Sequence, residues 1–189
     1  MVTMTLTTLL VPTYRQGLQA LSLWLEKARK LTPEAKALLS ARLAADMYPL
    51  SAQVRFACLQ AQEAVFRLRG EAIPGALEEL ALEGRNAGEQ PGSLSDAQAR
   101  LAEALSFLDD LEGDALDAGE ERPIAIELPN GMIFDMTGAQ YGRDWALPQF
   151  YFHLTTAYAI LRNRGVALGK ADYVGQAFAY LRPGTMPQV

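Results

Sequence analysis

The sequence predicts a mainly α-helical protein, a four-helix bundle with a crossover connection and one small β-hairpin at about residues 123–137. Three observations carry that reading. Apolar residues recur at heptad-like spacing in four separate stretches. A long connection rich in Gly and Pro parts the second stretch from the third, and before the fourth the period switches from helical to alternating. At 189 residues the chain fits a single domain over 1–189, with a peripheral tail from about residue 176.

In the first helix, Tyr14, Leu18, Leu21, Leu25 and Ala28 step by four, three, four and three, and Pro12 is placed in the first turn. Thr32-Pro33-Glu34 then reads as a helix start: an N-cap, a proline at the first helical position and an early acid. The second long helix carries Leu43, Met47, Leu50, Val54, Cys58, Ala61, Val65 and Leu68 on one side. A proline deep in a helix removes a hydrogen bond, so Pro49 sets the start near Asp46, whose carboxylate would cap the free N–H groups. Gly70 ends it. From Glu71 to Gly92 the prolines and glycines leave a long connection with one turn at Leu77 to Leu82. Long connections are uncommon in compact domains, and a bundle with a crossover is one setting that needs them.

The third helix opens at Ser93 or Ser95 and presents Leu94, Leu101, Leu105, Leu108 and Leu111. Beyond it, Ile124, Ile126 and Leu128 alternate with Ala125 and Glu127, and Met132, Phe134 and Met136 alternate with Ile133 and Asp135. A two-residue Asn-Gly loop would set Ile126 opposite Asp135 and scramble the faces. A three-residue Pro-Asn-Gly loop pairs Leu128 with Met132, Ile126 with Phe134 and Ile124 with Met136, and suits a type I turn with a bulge. Ile126 and Phe134 are both expected to pack on the bundle and cover one end of it. In the last long helix Phe150, Leu154, Ala157 and Leu161 form the stripe, while Tyr151, Phe152, Tyr158 and Ile160 make it apolar almost all round. Pro148 belongs in its first turn and Gly165 at its left-handed cap. A docked extended piece, a short amphipathic turn and a loose tail follow.

Seventeen Lys plus Arg stand against 22 Asp plus Glu, a formal charge of -5. The basic residues are scattered, which argues against nucleic-acid binding. One cysteine, Cys58, allows no internal disulfide. No stretch reaches the apolar length of a membrane span, and no charged leader precedes an apolar core. The expected setting is the cytoplasm. Cys58 lies on a core stripe with no cation beside it and reads as a buried thiol. Asp109-Asp110, with Glu112 and Asp114, reads as a solvated helix end, where the helix dipole disfavours anions. Gly-rich phosphate loops, CxxC pairs, HExxH and GxSxG are absent.

Three runs carry a family resemblance: VPTYRQGLQALS near the N-terminus, ARLAADMYPL (41–50) and ALPQFYFHLTTAYAILRNRGVALGKADYVG (146–175). They resemble a bacterial family of uncharacterised proteins, domain of unknown function number nineteen ninety-three, from about Leu9 to Gly175. That family looks like a branch of the DinB/YfiT-like superfamily. The resemblance implies an up-down bundle of four helices with long second and fourth helices, often dimeric. Fold alone does not imply activity. Better-known members hold a divalent metal with three histidines, one near the start of the second helix and two a turn apart on the fourth. Some use low-molecular-weight thiols as substrates.

Carried onto this chain, that pattern leaves one match, His153. One turn earlier stands Gln149 and one turn later Ala157, while Asp46, Tyr48 and Gln53 stand near the start of the second helix. A glutamine amide is a poor substitute for imidazole, so no metal and no cofactor is expected. Two readings of His153 follow. In one it belongs to a residual site with Asp46 and Gln149, its metal affinity much weakened, and Tyr158 joins these three as a candidate ligand-binding residue. In the other it packs within the bundle, largely buried, and hydrogen-bonds Asp46, another polar group of the second helix or a tyrosine hydroxyl. Tyr14, Tyr48, Tyr151 and Tyr158 could line a cavity around it, though aromatic residues in a bundle are usually core. Three functions remain open: a small-molecule-binding or accessory protein, a thiol-dependent transferase or isomerase using His153, and a structural dimerisation module. A homodimer is expected because the fourth helix is apolar beyond what one seam needs.

Overall fold

Four long helices carry the core, and they are the four that the apolar spacing marks. The structure, a computed structural model, describes residues 4–31 and 35–185. Helix α1 spans Leu6–Leu31, and its five stripe residues are all at most 1% exposed. It begins two turns earlier than the position of Pro12 suggests. Thr5 and Thr8 exchange backbone-to-hydroxyl hydrogen bonds of 2.8 and 3.3 Å, which caps the start, and Leu10 packs at 0% exposure before Pro12 is reached. That packing outweighs the hydrogen bond Pro12 forgoes inside the helix. Thr32-Pro33-Glu34 lies outside the described residues; a short α2, Ala35–Leu39, comes next.

Helix α3 spans Leu50–Arg69, so Leu43, Met47 and Asp46 all precede it. Pro49 occupies the N-cap place in extended backbone, and its carbonyl accepts from the Ala52 and Gln53 N–H groups. A residue before proline is pushed away from helical backbone, which strands Asp46 in the preceding turn. Asp46 is exposed there and does not cap the helix. The Gln53 side chain instead reaches back to the Tyr48 carbonyl, Nε2 donating over 3.1 Å. Gly70, at φ +69°, ends the helix as expected.

The connection to the next long helix is itself a helix: α4, Gly75–Asn86, where a single turn was expected. Gly84, which reads as a breaker, is a contact point. A Cβ there would fall 2.6 Å from Cε1 of Phe56, so glycine lets α4 close onto α3 through buried Leu77 and Leu80. Helix α5 spans Leu94–Asp109 and opens on Ser93, whose hydroxyl caps the Asp96 N–H while Asp96 answers the Ser93 N–H over 2.7 Å.

Helix α1 packs on α5 and on α7 (Leu147–Asn163), α3 packs on the same two, and α1 meets α3 only sparsely. The long helices therefore circle the core in the order α1, α5, α3, α7. The stretch 71–92 joins neighbours, and the chain crosses the bundle between α1 and α3 and again between α5 and α7. The second crossing carries the hairpin, β1 (Pro123–Glu127) and β2 (Ile133–Thr137), with Ile124 opposite Met136 and Ile126 opposite Phe134. Leu128 N–H donates to Met132 O over 2.8 Å and Gly131 takes φ +83°, which is the three-residue turn the alternation requires. Only half of the expected burial holds. Ile124 and Ile126 join the core, whereas Phe134 is 40% exposed and stops at the Trp145 ring, 5.3 Å away.

A short α6 (Gly138–Gln140), a π-helical turn (Tyr141–Ala146) and α7 run on continuously, with Pro148 in the first turn of α7. Pro148 has no N–H to offer the preceding turn, and Leu147 N–H reaches back to Gly142 O in the wide π spacing. Past Gly165, at φ +84°, Val166 and Leu168 are buried, and the Leu168 N–H donates to the Val166 carbonyl over 2.8 Å, so this docked piece is turned, not extended as expected. Helix α8 (Lys170–Tyr173) is held by Trp24 Nε1 donating to the Asp172 carbonyl over 3.2 Å and by the Lys27–Asp172 ion pair. An exposed 3-10 stretch, Gly175–Tyr180, follows.

Candidate functional site

Along α7, Phe150, Leu154, Ala157 and Leu161 turn into the core, at 2% exposure or less. His153 is set beside that stripe, part-buried at the seam with α3. Its Nδ1 lies 2.8 Å from Oε1 of Gln53, the residue α3 offers from its first turn. The hydrogen-bond inventory settles the tautomer. Gln53 Nε2 faces the Tyr48 carbonyl, which can only accept, so Oε1 is the atom turned to the imidazole, and it too can only accept. Nδ1 therefore carries the proton and donates, and Nε2 keeps a free lone pair with no partner among the described residues. Phe56 and Phe152 stand 5.1 and 5.3 Å from the ring, and Tyr48 meets Phe56 edge-on at 5.2 Å. Burial pushes the imidazole down to about 4, so it is neutral at physiological pH.

The other expected site residues are not gathered there. Asp46 lies in an exposed turn, lining a cavity of about 310 Å³ with Tyr48, Pro49 and Arg85, and the partner His153 finds is Gln53. Gln149 sits one turn before His153 on α7, part-buried, and hydrogen-bonds neither His153 nor Gln53. Tyr158 belongs to a different seam, 5.4 Å from Trp24 and 5.7 Å from Tyr173. Tyr14 is fully buried, edge-on to Phe150 at 4.9 Å, and its hydroxyl has no partner among the described residues. The four tyrosines thus do not enclose His153; Tyr48 alone reaches it, through Phe56.

Gln53 is a polar group of the second helix, the class of partner expected for His153, although Asp46 stood first among the candidates. The signal was present. Once Pro49 is placed before the helix, Gln53 becomes the polar side chain of the first turn and stands nearest the place a second-helix ligand would take. As a metal shell the set fails: one imidazole with Nδ1 committed, and neutral amides at Gln53 and Gln149. Among the described residues no group of three or more His, Cys, Asp or Glu could hold an ion. Cys58 is wholly buried and its thiol is pushed up to about 12, chiefly by desolvation, which leaves it inert.

The comparisons agree with this frame. A family model described as domain of unknown function, DUF1993, matches residues 6–174. The chain belongs to the DUF1993 family. It is also similar to a solved structure described as a DinB family member from Shewanella denitrificans, at 31% identity, 96% coverage of each chain and a TM-score of 0.71. Among curated proteins nothing matches. This DUF1993 chain is a DinB-like helical bundle, as the resemblance implies, and its described residues include the small hairpin that the alternation predicts. No helix among its described residues is long and apolar enough to cross a membrane.

Proposed function

We propose that this DUF1993 protein is a small-molecule-binding or accessory bundle without a metal site, and that it works at the α3–α7 seam around Gln53 and His153. The observation that carries the reading is the commitment of Nδ1 to Gln53, which turns the imidazole into a fixed acceptor. A ligand for it would bring a hydrogen-bond donor to Nε2 and an apolar body to Phe56, Phe152 and Tyr48. A thiol-dependent reaction is disfavoured. A base whose conjugate acid has a pKa of about 4 takes a proton poorly from a thiol near 8.5. A cytoplasmic setting accords with a single buried cysteine.

A second reading, a dimerisation module, is favoured by Tyr48 and Phe152, which are 46% and 58% exposed beside the same seam. Amide-shift mapping with a panel of hydroxyl- and amide-bearing aromatic compounds separates the two. Binding should move Gln53, Phe56 and His153 together, and His153→Ala should abolish it. The proposal fails if no compound moves those residues. Near-stoichiometric zinc or nickel in tag-free protein would sink it too.

A further inference from the structure

A second cleft, on the opposite face of α3, opens between α3, α4 and α5 with a volume of about 650 Å³. Its deepest polar group is Arg55, a residue only 5% exposed. Nε donates to Glu83 Oε2 at 3.2 Å, and Nη1 donates to the carbonyls of Ser51 and Pro91 at 3.0 and 3.3 Å. Nη2, on a side chain that lines the cleft, has no acceptor among the described residues. Glu83 meets Arg55 at Nε alone, and both of its oxygens also accept from Arg100. Arg55 and Arg100 thus share Glu83, Arg100 also donating to Glu103 over 2.8 Å, and an open donor on a side chain this buried favours an acceptor. Gly92, at φ +73°, leaves the place open: a Cβ there would stand 3.0 Å from Nη2.

The rim selects the acceptor. Glu79, Asp96 and Glu103 line the same cleft, so its walls hold four carboxylates, Glu83 included, against two arginines. That field repels a dianion such as phosphate, while a simple cation would leave Nη2 unanswered. We propose that this cleft binds a small zwitterion of the α-amino-acid class, its carboxylate on Arg55 Nη2 and its ammonium among Glu79 and Glu103. The volume suits such a molecule with a side chain.

Calorimetric titration of the full chain with each of the twenty proteinogenic amino acids tests this, with acetate, ethylamine and inorganic phosphate as controls. At least one amino acid should bind saturably, with acetate and ethylamine each about tenfold weaker or more. Arg55→Lys should lower that affinity at least about tenfold, since lysine offers no second forked nitrogen. Because Arg55 also ties α3 to α4, Glu79→Gln and Glu103→Gln supply the surface arm. Each should weaken binding about threefold or more with an unchanged circular dichroism spectrum. Four results would overturn the proposal: no saturable binding, phosphate binding more tightly than every amino acid, rim variants with unaltered affinity, or amide shifts centred on His153 instead of Arg55.

Discussion

At the scale of single residues, the Gln53–His153 pair makes a pH prediction whose sign can be worked out. Burial lowers the folded imidazole to about 4 from an ordinary 6.5. Between those values the unfolded chain holds the proton and the folded chain does not, so stability falls as pH drops from about 6.5 toward 4. Above 6.5 the contribution is fully present. The whole gap corresponds to about 3 kcal/mol, and the part-exposed ring reduces the expected loss to about 1–2 kcal/mol. Urea denaturation at pH 7 and 4.5 should show wild type losing that much more than His153→Gln; equal losses would contradict a depressed imidazole. Gln53→Ala should cost about 1–3 kcal/mol at pH 7, because it leaves a desolvated N–H unanswered. His153 was legible in the sequence because it is the only histidine and sits on an apolar helix. That its partner is a polar group of the second helix was legible too, but the choice between Asp46 and Gln53 turns on which side of Pro49 the helix begins.

At the scale of elements, Gly84 decides how closely α4 approaches α3. Alanine there gains about 1 kcal/mol of helix propensity but drives a methyl into the Phe56 ring. That ring is held between Tyr48 and His153 and cannot swing away freely, so an overpacking cost of about 1–3 kcal/mol should win. Gly84→Ala should therefore melt lower, and a higher melting temperature would mean that Phe56 yields. The hairpin gives a paired comparison. Ile126→Ala should cost about 2–4 kcal/mol and Phe134→Ala about 1 kcal/mol, because Ile126 reaches the core and Phe134 ends on Trp145. Equal losses in chemical denaturation would restore the expectation that both are buried. The hairpin register was readable because a one-residue slip would invert both faces. The length of α4 was hidden because glycine serves equally as breaker and as contact point, and sequence spacing cannot tell the two apart.

At the scale of the whole molecule, the four stripes announced a bundle, but the ring order α1, α5, α3, α7 depends on which seams the stripes fill. Stripe spacing fixes which face of a helix turns inward and leaves its neighbours unspecified, so the crossings were assigned to the wrong connection. The same limit governs α7. Its inward face is consumed by α1 and α3, yet Phe152 remains exposed beside His153, and Tyr48 lies close by through Phe56. A pair of exposed aromatics at one seam counts twice in a two-fold contact, because each subunit presents the same patch to the other. The proposed homodimer should therefore form through this face. Light scattering at micromolar concentration should give twice the 20.6 kDa chain mass, and Phe152→Asp should return it to one chain with an unchanged helical spectrum. A wild-type protein of single-chain mass would remove the dimer. A Phe152→Asp variant that stays dimeric would move the contact to another face.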